Sequence, residues 1–141
     1  MSSSENKILI GNCSGFYGDR LSAANDMVKG GPIDVLTGDY LAELTMAILY
    51  NQRTQRGEDH GYVGTFLKQF KEVATTCQEK GIKIVTNAGG LNPVSMAKKV
   101  EEIVQELGLN LRVAHIDGDD LIPRLDELND KGELLKNIEK D

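Results

Sequence analysis

One rhythm constrains this chain more than any other feature. Short apolar runs end in loops of glycine and small polar residues, and each loop leads into a longer amphipathic stretch. Lys7–Ile10 runs into the loop 11–19, Gly-Asn-Cys-Ser-Gly-Phe-Tyr-Gly-Asp. Ile33–Leu36 runs into Thr37-Gly-Asp-Tyr40, Ile82–Thr86 into Asn87-Ala-Gly-Gly90, and Leu111–Ile116 into Asp117-Gly-Asp-Asp120. The stretches between them carry helical spacing: Leu21, Ala24 and Val28 in 19–29; Leu41, Leu44, Ile48 and Leu49 in 40–53; Phe66, Leu67, Phe70, Val73 and Cys77 in 63–80; Val100, Ile103, Val104 and Leu107 in 93–107. A last helix is expected from Leu121.

Strand alternating with helix predicts an α/β fold: three layers, a mostly parallel sheet of about four to five strands, and helices on both faces. That is a Rossmann-like arrangement, incomplete in its strand count. The expected α/β domain spans 7–130, after a disordered N-terminus at 1–6 and before an acidic tail at 131–141. His115 is expected mid-strand and buried, and Cys77 in the core.

Charge narrows the partners. The 141 residues carry a net charge of −6, and residues 117–141 hold nine acidic against four basic side chains. No basic stripe with interleaved aromatics is present, which argues against nucleic acid. No apolar run approaches the roughly 18 residues of a membrane span. The N-terminus has no apolar signal core, so a cytoplasmic protein is expected. Two cysteines are too few for a disulfide scaffold or a cysteine metal cage.

In an open parallel sheet, ligands bind outside the carboxyl ends of the strands. All four composition-biased loops fall on that edge, whereas the opposite turns, such as 79–81 and 108–110, are ordinary solvent turns. The expected site therefore draws Asn12, Gly15, Gly18 and Asp19 from the first loop as ligand-binding residues, with Gly89, Gly90 and Asp119 from later ones. Asp39, Glu43 and Asn87 are the candidate catalytic groups.

Each of these residues has a plainer alternative. The first loop matches only the second half of a dinucleotide fingerprint, because Cys13 stands where the first glycine belongs. Asp39 and Glu43, four apart, would share a helix face as an acid/base pair or a cation site, or serve as a cap and a favourable charge at a helix N-terminus. Asn87 would orient a ligand, whereas Asn92-Pro93 reads as an N-cap followed by proline at the first helical position. Asp117, Asp119 and Asp120 would hold a cation or hydroxyls, or form a turn and cap. Neither a metal nor a cofactor can be assigned from these residues.

As a set, the segments Gly11–Asp19, Leu36–Thr45, Thr86–Pro93 and Gly118–Leu121 resemble the acyclic terpene utilisation family (AtuA-like proteins), over about 7–128. The resemblance implies a role in catabolism of citronellol- and geraniol-like terpenoids, whose intermediates are carried as coenzyme A thioesters. The partner implied is a small-molecule ligand, a coenzyme A thioester among the candidates. The implied function is that of an enzyme, or the N-terminal portion of one, acting on a branched acyl thioester or related small acid. A non-catalytic nucleotide- or phosphate-ligand binding module is the alternative. Members of that family are longer, so the chain is expected to be a truncated portion or to complete its sheet by self-association through an exposed edge.

Overall fold

The computed structural model of the chain describes residues 7–131. The expected disordered segment at 1–6, and all of the expected acidic tail except Lys131, lie outside the described residues. In chain order the elements are β1 (Ile10–Asn12), α1 (Ala23–Gly30), β2 (Val35–Gly38), α2 (Glu43–Arg56), α3 (Gly64–Lys80), β3 (Lys83–Thr86) and α4 (Pro93–Glu106). A 3-10 turn at Ile122–Arg124 and the short α5 (Leu125–Asp130) follow.

The α/β class holds, with a three-stranded, fully parallel sheet in the order β1-β2-β3. Ile10 pairs with Val35, which pairs with Lys83; one step on, Gly11, Leu36 and Ile84 align. Every crossover steps in the same direction. Because such crossovers are right-handed, helices connecting strands that advance one way all land on one face.

The burial pattern agrees. Gly11, Leu36 and Ile84 share the covered face. Leu36 joins Cys13, Ala24, Val28, Val73, Cys77 and Ile82 in one cluster beneath α1 and α3. A second cluster gathers Tyr40, Leu49, Phe66, Phe70, Val100 and Val104 from β2's end, α2, α3 and α4, and Ile84 touches both clusters. On the opposite face, Ile10 is 66% and Val85 59% exposed. The expected three-layer arrangement is therefore corrected to two layers among the described residues.

The expected fourth strand is also corrected. Residues 111–116 form no ladder with β3. Leu111 and Val113 instead pack sideways onto the helical cluster, and the Asn110 N–H just before them donates to Gln78 Oε1 at 2.6 Å. His115, expected inside the sheet, is consequently exposed. In α2 the buried pair is Thr45 and Leu49, one turn apart, while Leu44 is 73% exposed. The helix starts at Glu43, later than its apolar pattern suggests, and the face it turns inward is that of Thr45 and Leu49.

One buried polar chain ties the layers. The Tyr40 hydroxyl donates to Gln69 Oε1 at 2.6 Å, and Gln69 Nε2 donates to the Leu21 carbonyl at 3.3 Å. The Tyr40 ring meets Phe66 edge-on, with centroids 6.1 Å apart. A buried acceptor stripped of its donor costs about 1–3 kcal/mol. Tyr40→Phe is therefore expected to lower unfolding free energy by about that amount in a urea titration, because Gln69 Oε1 keeps its burial and loses its proton donor.

Both cysteines are free and buried. Burial pushes the Cys77 thiol up from 9.0 to about 11. The unfolded thiol ionises near its ordinary value while the folded one stays protonated. Its stabilising contribution is thus complete below about pH 9 and is lost as pH rises through about 11. Thermal midpoints measured across that window should fall, and Cys77→Ala should flatten the fall while lowering the midpoint at neutral pH.

Candidate functional site

The carboxyl edge collects the loops that follow β1, β2 and β3. Parallel pairing continues past the strands: the Cys13 N–H donates to the Thr37 carbonyl at 2.9 Å and the Asp39 N–H to the Ser14 carbonyl at 3.0 Å. The glycine loop is thereby laid against the end of β2. Asn12, the last residue of β1, accepts from Thr37 Oγ1 at 3.1 Å and donates to the Ser14 carbonyl at 2.9 Å.

Asp39 and Asn87 come together at the centre of this edge. Asn87 Nδ2 donates to Asp39 Oδ1 at 2.7 Å, and Asn87 Oδ1 accepts from the Tyr40 N–H at 2.8 Å. The two bonds settle which end of the amide faces which neighbour. They also orient the Asp39 carboxylate, which stays exposed to solvent. Both ends of the Asn87 amide are thus engaged within the edge, one by Asp39 and the other by the Tyr40 backbone. Thr86 supports the turn beneath: its Oγ1 donates to the Gly38 carbonyl at 3.0 Å and accepts from the Ala88 N–H at 3.1 Å.

Asp19 closes the glycine loop on itself. Its carboxylate accepts the Gly15 N–H at 2.9 Å and the Arg20 N–H at 2.7 Å. The Gly15 and Arg20 backbone donors hold this carboxyl below its ordinary value. Both bonds stay within the loop and help shape it. Cys13 lies beneath the loop, where burial pushes its thiol up. That shift is opposite to what an activated nucleophile needs.

Gly89 and Gly90 serve packing. A side chain at Gly89 would strike Pro93, the first residue of α4, at 2.8 Å. Gly90 sits at φ +53, with Leu49 and the Gly61 carbonyl where a Cβ would stand. Those neighbours belong to α2 and to the 57–63 connection, which the third loop grips: Leu91 N–H donates to the Gly61 carbonyl and Val63 N–H to the Ala88 carbonyl, both at 2.8 Å. Asn92 caps α4 by accepting the Ser95 N–H at 3.1 Å, and donates to the Glu58 carbonyl at 2.7 Å. By contrast, a side chain at Gly18 would meet open space, and one at Gly15 only Asp19 Oδ2, in ordinary contact at 3.9 Å.

Glu43 is exposed at the first turn of α2 and Asp119 is exposed in the last loop; neither makes a hydrogen bond with Asp39 or Asn87. Asp120, the neighbour of Asp119, lies 4.0 Å from Arg53 near the end of α2. Among the described residues no group of three or more His, Cys, Asp or Glu side chains is placed to hold a metal ion.

Two further features escaped sequence reasoning. A groove of about 340 Å³ opens beside β1 along α1, lined by Asn12, Arg20, Ala23, Asp26 and Met27 and, at the C-terminal end of α1, by Gly30 and Gly31. Arg20 and Asp26 pair across it at 2.6 Å. The other is Tyr17, which reaches α2 through a 3.4 Å hydrogen bond from Gln52 Nε2. A faint signal existed for the first, since Arg20 and Asp26 flank a run of small residues, Ser22–Ala24.

The description "Acyclic terpene utilisation family protein AtuA" belongs to a family model that matches residues 8–141 of the chain. No curated protein and no solved structure matches it. No helix among the described residues is long and apolar enough to cross a membrane.

The two kinds of glycine should separate in mutagenesis. Gly90→Ala is expected to cost at least about 1–2 kcal/mol from its left-handed backbone alone, and more from its neighbours. Gly15→Ala should leave stability nearly unchanged in the same urea titration.

Proposed function

The chain belongs to the acyclic terpene utilisation family, and from that premise we propose that its carboxyl edge binds and processes a small branched acid or its thioester. The observation that carries the proposal is the Asn87–Asp39 pair: a solvent-facing carboxylate held in one orientation by a 2.7 Å amide hydrogen bond, itself anchored on the Tyr40 backbone. A carboxylate fixed in this way accepts a proton in a defined direction, as general base catalysis requires, and can return it later as the acid.

In this reading Asp39 is the acid/base group and Asn87 its positioning residue. Glu43 lies one turn along the same helix entry and adds negative charge that disfavours a second carboxylate in the site. A thioester, which is uncharged at its carbonyl, suits such an environment better than a free acid does. The open backbone at Gly15 and Gly18 lets the polar end of the ligand approach the first loop. The groove beside β1 offers Ala23 and Met27 to the branched acyl chain, with Asn12 at its polar rim.

The test pairs binding with turnover. The chain is titrated with coenzyme A thioesters of citronellic and geranic acids while unfolding is followed. A ligand at a hundred times its dissociation constant stabilises by about 2.7 kcal/mol. Asp39→Asn is expected to keep the unfolding midpoint and the ligand shift but to lower turnover by about a hundredfold or more. Equal turnover in both chains removes Asp39 from the chemistry. Saturable binding with no conversion in either chain identifies a binding module instead.

A further inference from the structure

Gln69 stands on a stripe of α3 that is otherwise apolar, with Phe66, Phe70, Val73 and Ala74 buried around it. Apart from Tyr40 and the two cysteines, the buried side chains with polar atoms among the described residues are Ser14, Thr45 and Gln69. A leucine or methionine would pack on this stripe with no polar atom to satisfy. A buried amide costs free energy unless both of its ends find partners.

Those partners lie on two segments of the candidate site. Gln69 Oε1 accepts from the Tyr40 hydroxyl at 2.6 Å. Gln69 Nε2 reaches the Leu21 and Arg20 carbonyls at 3.3 and 3.5 Å, where the glycine loop ends. Tyr40 directly follows Asp39. Its N–H holds one end of the Asn87 amide, and the other end holds the Asp39 carboxylate.

The start of the glycine loop needs no such bridge, because the Ser14 carbonyl accepts the Asp39 N–H at 3.0 Å. The loop is thus tied to the Asp39–Tyr40 turn by backbone at its start and by the Gln69 side chain at its end. Its internal shape has a separate source. The Asp19 carboxylate holds the Gly15 and Arg20 N–H groups from within. Without Gln69 the loop keeps that clasp and is free to shift as a unit against Asp39.

We infer that Gln69 is a positioning residue, which sets where the open backbone at Gly15 and Gly18 stands relative to the Asp39 carboxylate and steadies the Tyr40 N–H that orients Asn87; this rests on the reading of Asp39 as the acid/base group. For a ligand that lies on the loop and reacts at Asp39, this spacing governs alignment more than affinity. Small misplacements of reacting groups cost large factors in rate.

Gln69→Met tests the inference, because it keeps the length and apolar packing of the side chain and removes both of its bonds. The first readout is the Asn87 side-chain amide, followed by nitrogen-edited NMR of the full chain without ligand. Its resonances are expected to move toward those of a free asparagine side chain while unfolding stays cooperative. The second is turnover of the same coenzyme A thioesters: kcat should fall about tenfold or more while the ligand dissociation constant stays within about twofold. Should Gln69→Met fail to fold, Tyr40→Phe breaks the same bond from the other side by removing a single oxygen, and should move the same resonances. Asn87 resonances that stay in place in a folded variant overturn the inference, whether or not Asp39 proves catalytic. So does an equal loss of affinity and turnover, the mark of a merely structural residue. Failure of the Asp39 reading shows separately, as absence of conversion by the unaltered chain.

Discussion

The structure depends on Tyr40 more than on any other side chain. It is the second residue past β2, at the point where the chain leaves the sheet for α2. Its ring fills the space between the sheet and α3, its hydroxyl is spent on Gln69, and its backbone N–H is spent on Asn87. Gln69 passes the restraint on to Leu21, at the end of the glycine loop. One residue thus fixes the distance between sheet and helices, the end of the first loop and the orientation of the amide that aims Asp39. Gly38 is part of the same arrangement, since any side chain there would overlap the Tyr40 ring at 2.6 Å.

The one-way strand order is the second governing constraint. It gathers three loops on one edge and puts every crossover helix on one side. The first consequence builds the candidate site, because Ser14, Asp39 and Asn87 come from three successive loops and meet only through parallel pairing. The second leaves the opposite face, with Ile10 and Val85, open to solvent. A single topological choice therefore gathers the loops of the candidate site and leaves the opposite face of the sheet bare among the described residues.

Family membership and geometry speak to different questions. The family match covers residues 8–141 and associates the chain with terpene utilisation. It does not say which groups do the work. The geometry divides the motif residues into those that build the edge and those left facing solvent. Asp19, Gly89, Gly90 and Asn92 build it; Asp39, Gly15 and Gly18 remain available. Motif strength alone does not make that division, because the best-marked segment, Asn87–Pro93, is largely devoted to gripping the 57–63 connection.

Local chemistry made much of this legible in the sequence. The helical stripe Phe66–Cys77 and the Asn92-Pro93 start of α4 each follow from interactions a few residues apart, and both stand in the fold. What the sequence could not decide was which backbone pairs with which. The apolar run 111–116 has the composition of a strand, yet it packs sideways on the helices, because a strand exists only where a neighbour accepts its hydrogen bonds. The burial of Gln69, the exposure of Leu44 and the turning of Asn87 toward Asp39 were likewise tertiary outcomes. Periodicity determines which residues can be buried together; only the assembled layers determine which polar atoms find partners there.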